Sequence, residues 1–267
     1  MKTTTTAKTY DPVERCIYCG RSEPEVPRLT IEHIIPYSLG GLWELPAASC
    51  DGCANQTKQF EQIVARDCLK PFRAKHRFKS RRKMPTEFPL RIQQHDGVYK
   101  DIPVSADHHH GTITLWGFPP PRILLGLAEE KSPTHQGKPW TFPSTEELYN
   151  FHKPYGGKGF TGSPFNFAAM ARLVAKIAHS YVVAEVGYDN LEPMLRPIIL
   201  GESDNYFWLV GGEFDPPPMV DELHTVNWET CRIEDTSYIF CRVRLFSCLG
   251  SPVYYAVVGK LRPQVSD

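Results

Sequence analysis

Apolar residues fall into distinct periods along this chain, and each period predicts an element. Between Ala54 and Phe72, Phe60, Ile63, Val64 and Cys68 recur at helical spacing, and Pro71 reads as the stop. The stretch LRIQQHDGVYKDIPV alternates apolar and polar residues around Asp96-Gly97, a hairpin turn signal. TITLWGF and RILLGL read as further strands. Ser163-Pro164 then opens PFNFAAMARLVAKIAHSYVVAEVG, apolar around most of its circumference, with Ser163 as N-cap, Pro164 at the first helical position and Gly187 at the C-terminal cap. A helix of that kind is a buried spine, and Arg172, Lys176 and His179 draw the polar stripe along it, which reads as a solvated face or as a phosphate or partner contact. PMLRPIILG, NYFWLVGG, LHTVNW, TSYIFCRVRLFSCL and PVYYAVVGKL are strand candidates, the last two joined by Gly250-Ser251-Pro252. Together they predict an α+β arrangement in which an antiparallel sheet packs on one long helix.

Composition places a boundary near residue 84. The 267-residue chain has no net charge, yet residues 1–83 carry 15 Lys/Arg against 9 Asp/Glu, and the remainder carries the opposite imbalance. A basic end on an acidic body points to a polyanion partner for the N-terminal part. Three regions are therefore expected: a polar, Thr-rich, disordered lead-in over 1–12, a small module over 13–83, and a larger α+β domain over 84–267. Residues 128–163 read as a long loop region. No uncharged apolar run reaches the roughly 18–20 residues that span a bilayer, and the first residues lack the apolar centre of a signal peptide, so a cytoplasmic protein without a membrane partner is expected.

Eight cysteines are present. Cys16-x2-Cys19 and Cys50-x2-Cys53 form two pairs, and paired C-x2-C turns aim four thiolates at one tetrahedral zinc ion. Cys68, Cys231, Cys241 and Cys248 lie among apolar neighbours and read as free, buried thiols, in keeping with a reducing compartment. Between the pairs lies LTIEHIIPYSLGG, which sets the carboxylate of Glu32 beside the imidazole of His33. The run Arg73, Lys75, Arg77, Lys79, Arg81, Arg82 and Lys83, packed into eleven residues, reads either as a phosphate-contacting segment or as a solvated linker. His108, His109 and His110 read as solvent-facing.

From Cys16 to Glu61 the order of these parts resembles the HNH endonuclease family: a C-x2-C knuckle, an acidic residue and His closing a strand, I-I-P-x-S-x-G-G, and a second C-x2-C opening a helix. The resemblance implies a ββα-metal module stapled by structural zinc. It implies His33 as the base that deprotonates water, and Glu32 as ligand of a catalytic Mg2+ or Mn2+. The second ligand is open. Ala54 stands where many members have Asn, leaving Asn55 one residue on and Glu61 a further two turns along. The family's middle Asn, which orients the base, falls near Glu44-Leu45, where no Asn stands. The implied activity is metal-dependent DNA phosphodiester hydrolysis, with the C-terminal domain as a possible homodimer contact. A zinc-knuckle module that binds nucleic acid without cutting it, and a nuclease directed at RNA, are the alternatives.

Overall fold

The computed structural model describes residues 6–80, 83–132, 137–155, 159–160, 164–233 and 235–262. The chain begins with β1 (Lys8–Thr9), β2 (Leu29–His33) and β3 (Trp43–Cys50), followed by α1 (Asp51–Gln62). β2 and β3 are antiparallel, and β1 adds to the far edge of β3 in parallel. Residues 6–10 of the lead-in make specific contacts. Trp43 donates to the Thr6 carbonyl, and Lys8 and Tyr10 both reach Glu185, at 2.9 and 2.6 Å. The turn between β2 and β3 depends on Gly41, where a Cβ would lie 1.9 Å from the Ile35 carbonyl oxygen.

The helix after Cys53 does not end at Pro71. α1 passes into a wider turn, Ile63–Cys68, and α2 (Lys70–Lys75) starts with Pro71 in its first turn, where the missing N–H costs nothing. The hairpin around Asp96-Gly97 forms as read, from β4 (Glu87–Gln93) and β5 (Tyr99–Ser105), with Gly97 at φ +85°. TITLWGF supplies β6 (Ile113–Gly117), which pairs with β7 (Lys138–Phe142). RILLGL is a short 3-10 turn and not a strand, because Pro121 opens it and Gly126 closes it in the left-handed conformation. After α3 (Thr145–His152) and β8 (Gly159–Phe160) comes the spine, α4 (Phe167–Val186). Its cap is Asn166, whose side chain accepts from the Ala169 N–H at 2.9 Å. Ser163, expected in that role, lies outside the described residues.

PMLRPIILG and NYFWLVGG each split into strand and helix: β9 (Leu191–Pro193), α5 (Arg196–Ile199), α6 (Tyr206–Leu209) and β10 (Val210–Gly212). β11 (His224–Ile233), β12 (Thr236–Leu245) and β13 (Tyr254–Leu261) complete an antiparallel five-stranded sheet. α4 contacts the strands of this sheet and, on another side, packs against α1. One cluster of buried apolar residues runs from Cys16, Ile17 and Tyr18 through the whole of α4 to Val258. α4 is long and apolar enough to cross a bilayer, but 78% of that window is buried in the protein. It is the common core of both ends of the chain.

Several histidines belong to that interior. His109 and His110 are 2% and 7% exposed, so the histidine run is not solvent-facing beyond His108. His224 donates from Nε2 to the Leu39 carbonyl and accepts the Phe246 N–H at Nδ1, which fixes it as the neutral form. Burial pushes His109, His179 and His224 down to about 4 and His110 to about 2. Such groups stay neutral in the folded chain while the unfolded chain takes up protons below its ordinary value of about 6.5, so stability is complete above that pH and falls between there and about 4. Thermal melts should accordingly shift downward when the pH is lowered from about 7.5 to about 5, and an unchanged midpoint would show that these rings are not buried as neutral groups.

Candidate active site and metal centre

The two C-x2-C turns converge. The four Sγ atoms of Cys16, Cys19, Cys50 and Cys53 all lie within 4.8 Å of one another, with Cys19 and Cys50 3.8 Å apart. Four sulfurs about 2.3 Å from a tetrahedral zinc ion stand about 3.8 Å apart, so the donor set fits. Local structure explains the convergence. The Gly20 N–H closes the first turn on the Cys16 carbonyl, with Gly20 at φ +78°, while Cys50 precedes α1 in extended conformation and Cys53 sits in its first turn. A hydrogen bond from Cys53 holds Cys16 down at about 4, and the same bond pushes Cys53 up. These cysteines can hold a structural metal such as zinc, which would staple the loop that precedes β2 to the end of β3 and the start of α1 and, with four sulfurs, keep no open position. The other four cysteines are free, and Cys68 and Cys241 are buried.

β2 carries the next groups. Strand alternation points Ile31 outward, 53% exposed, and Glu32 inward, 5% exposed. His33 follows on the outward side with 28% of its side chain open to solvent. Its partner in the hairpin register is Glu44, whose Oε1 stands 3.7 Å from His33 Nδ1. The place where the family's middle Asn is missing is thus filled by a carboxylate from the facing strand. At 3.7 Å this contact is longer than a hydrogen bond, and the carboxylate faces the ring as a charged neighbour. The ring of Tyr37 lies 5.7 Å from that of His33, centroid to centroid.

Glu32 does not face empty space. The ammonium of Lys176, from the middle of the spine helix, is fully buried and lies 2.5 Å from Glu32 Oε1 and 3.1 Å from Glu61 Oε1. It also donates to the His33 carbonyl, with the Ile34 carbonyl further off at 3.4 Å. The three N–H donors of an ammonium are satisfied by these partners. Burial alone would lower the affinity of Lys176 for its proton, but the two carboxylates outweigh it and the net direction is upward. Burial raises Glu61, and the Lys176 charge opposes that rise. Of the two helix residues left open as ligands, Glu61 joins Glu32 around a cation, whereas Asn55 lies exposed on the first turn of α1.

The stripe on α4 is therefore an internal seam and not a solvated face. His179 Nε2 bonds the Ile17 carbonyl at 2.8 Å, Ser180 pairs with the Tyr18 hydroxyl at 3.2 Å, and Arg172 meets Asp204 at 3.1 Å. Below the knuckle, Arg196 donates to the Tyr18 carbonyl. Sequence reasoning missed Lys176 and Glu44. The signal for Lys176 was its place in the middle of a polar stripe on a helix that is apolar around the rest of its circumference; for Glu44 it was the hairpin register.

The basic run divides in the same way. Arg73 is 3% exposed and its guanidinium binds the carbonyls of Ser38, Ala65 and Lys79, so it braces the module from inside and does not contact phosphate. Lys75 is likewise taken up, by the carbonyls of His109 and His110. Arg77 is exposed, 3.5 Å from Asp107. Lys79 and Lys83 are exposed, and the Lys79 ammonium stands 5.3 Å from the centre of the Tyr37 ring. Arg81 and Arg82 lie outside the described residues.

Removing Lys176 while leaving its partners would strand two carboxylates in the interior. Lys176→Met should cost about 3–5 kcal/mol of unfolding free energy near neutral pH. The double variant Lys176→Met, Glu32→Gln should recover part of that loss in chemical denaturation. Equal stabilities of wild type and Lys176→Met would show that the ammonium does not hold the carboxylates in solution.

Among curated proteins and among solved structures, none matches this chain. A family model does match: that of the HNH endonucleases, over residues 16–66, the span that contains the converging cysteines, the β2–β3 hairpin and α1. The N-terminal part of the chain, from the first knuckle through the helix that carries Glu61, thus matches the HNH endonuclease family over about a fifth of the chain's length, the 51 residues from 16 to 66 of 267.

Proposed function

We propose that the chain is a DNA endonuclease in which the HNH module hydrolyses a phosphodiester bond with His33 as general base. The observation that carries this reading is the pairing of His33 with Glu44: a partly open imidazole, on the strand end where the family's base stands, backed at Nδ1 by a carboxylate. A neutral ring that keeps its proton on Nδ1, the nitrogen that Glu44 faces, accepts a proton at Nε2. Water then bonds to phosphorus as it loses that proton to His33, the bond to the departing 3′ oxygen breaks, and solvent protonates that oxygen. One centre makes one nick. Tyr37 and Lys79, grouped beside His33, supply an aromatic face and a cation for the sugar-phosphate chain.

The family resemblance implies a catalytic Mg2+ or Mn2+ on Glu32 with a helix residue. Glu32 and Glu61 form a cation-binding pair of the required kind, but the cation between them is the Lys176 ammonium. A divalent ion does not fit there beside it. That same occupancy favours a second reading, a zinc-stapled module that binds nucleic acid without cutting it.

Supercoiled plasmid incubated with the zinc-loaded protein separates the two readings, with Mg2+, Mn2+ and EDTA in parallel. The nuclease reading expects open-circular product, a loss of about 10²–10⁴-fold for His33→Ala, and a smaller loss for Glu44→Ala. If His33→Ala nicks as fast as the parent, His33 is not the base. Retarded plasmid without any nicking in the three conditions supports the binding module, and a parallel reaction on labelled RNA tests whether RNA is the true target.

A further inference from the structure

The seam between α4 and the HNH module carries a charge that belongs to neither the knuckle nor the base. Lys176 lies in the middle of a helix whose neighbours Leu173, Val174, Ala175, Ile177 and Ala178 are all fully buried. A long, charged side chain in such a place needs compensation for every donor, and each compensating group comes from the HNH module: Glu32 on β2, Glu61 on α1, and the carbonyls of His33 and Ile34. The partners surround the ammonium as oxygen ligands surround a hard cation, two carboxylates and two carbonyls at one point. Flanking contacts hold it there. His179, one turn on, bonds the Ile17 carbonyl, and Ser180 bonds Tyr18, so α4 cannot withdraw Lys176 without breaking the knuckle contacts as well.

We infer that the ammonium of Lys176 is the resident cation of the HNH centre, filling the Glu32–Glu61 carboxylate pair in place of a divalent ion and positioning the backbone of His33. The inference builds on the HNH reading of the site but concerns which cation occupies it, and cleavage is not its readout. Lys176 does not touch the substrate; it acts through the strand that carries the base. It makes the C-terminal part of the chain a component of the centre, because the module by itself would present two carboxylates with nothing between them.

The test is Mn2+ binding to the zinc-loaded full chain, followed by the electron paramagnetic resonance of free Mn2+ and by isothermal titration. Wild type should show no saturable site for one Mn2+ per chain, and Lys176→Met should gain one that disappears again when Glu32→Gln is added. Should Lys176→Met fold too poorly to purify, Lys176→Gln, which removes the charge but keeps an N–H donor for the carboxylates, carries the same comparison. A saturable Mn2+ site in wild type that Glu32→Gln or Glu61→Gln abolishes would overturn the inference, as would a folded lysine variant that gains no site. Either result leaves the nuclease reading to be decided by the plasmid assay.

Discussion

A single buried ammonium sets the terms for the rest of this molecule. Removing a lysine charge from water is expensive, and the expense is tolerated only where several oxygens with matching charge converge on it. Lys176 meets that condition with two carboxylates and backbone carbonyls from the HNH module. The contact is consequently specific in a way that apolar packing is not. A slide of α4 by one turn would leave the charge against hydrocarbon and the carboxylates unpaired. The large apolar interface between module and spine provides the bulk of the attraction, while this polar centre selects the register.

The position of His33 follows from that register. Its strand is held by the hairpin on one side, by Lys176 at its own carbonyl, and by Glu44 across the sheet at its ring. Gly41 lets the chain close the loop between the two strands, and Arg73 and His224 bind carbonyls at its turn from below. In the proposed reaction the base has to meet a water and a phosphorus in line, and a backbone with so little freedom suits that role. The knuckle contributes at the other end of the hairpin, where four sulfurs gather the loop that precedes β2, the end of β3 and the start of α1.

Charge in this chain is spent differently from what its linear distribution suggests. The basic stretch after α1 reads as one continuous surface for a polyanion, yet its first two residues are consumed by carbonyls inside the protein. What is left beside His33 is Lys79 near Tyr37, with Arg77 partly answered by Asp107. Composition counts charges but does not say which of them face water.

How much the sequence settled differs from element to element, for physical reasons that can be named. Motifs whose partners are near in sequence were legible: each C-x2-C turn is local, the Glu32-His33 pair lies on one strand, the Asp96-Gly97 hairpin is closed by neighbours, and α4 announces itself by an apolar circumference. Elements whose state depends on what covers them were misread. RILLGL and parts of PMLRPIILG and NYFWLVGG have strand-like composition but are bounded by prolines and glycines that favour short helical turns once packed. The residues around His33 were the least legible, since Glu44 reaches it by cross-strand register and Lys176 from more than a hundred residues away. The sequence by itself determined that an HNH hairpin and helix with a four-cysteine staple exist here. Only the tertiary structure decided which cation lies between Glu32 and Glu61, because electrostatic partners in a protein interior are chosen by proximity in space, and a lysine among apolar helix residues carries no mark of the carboxylates it will meet.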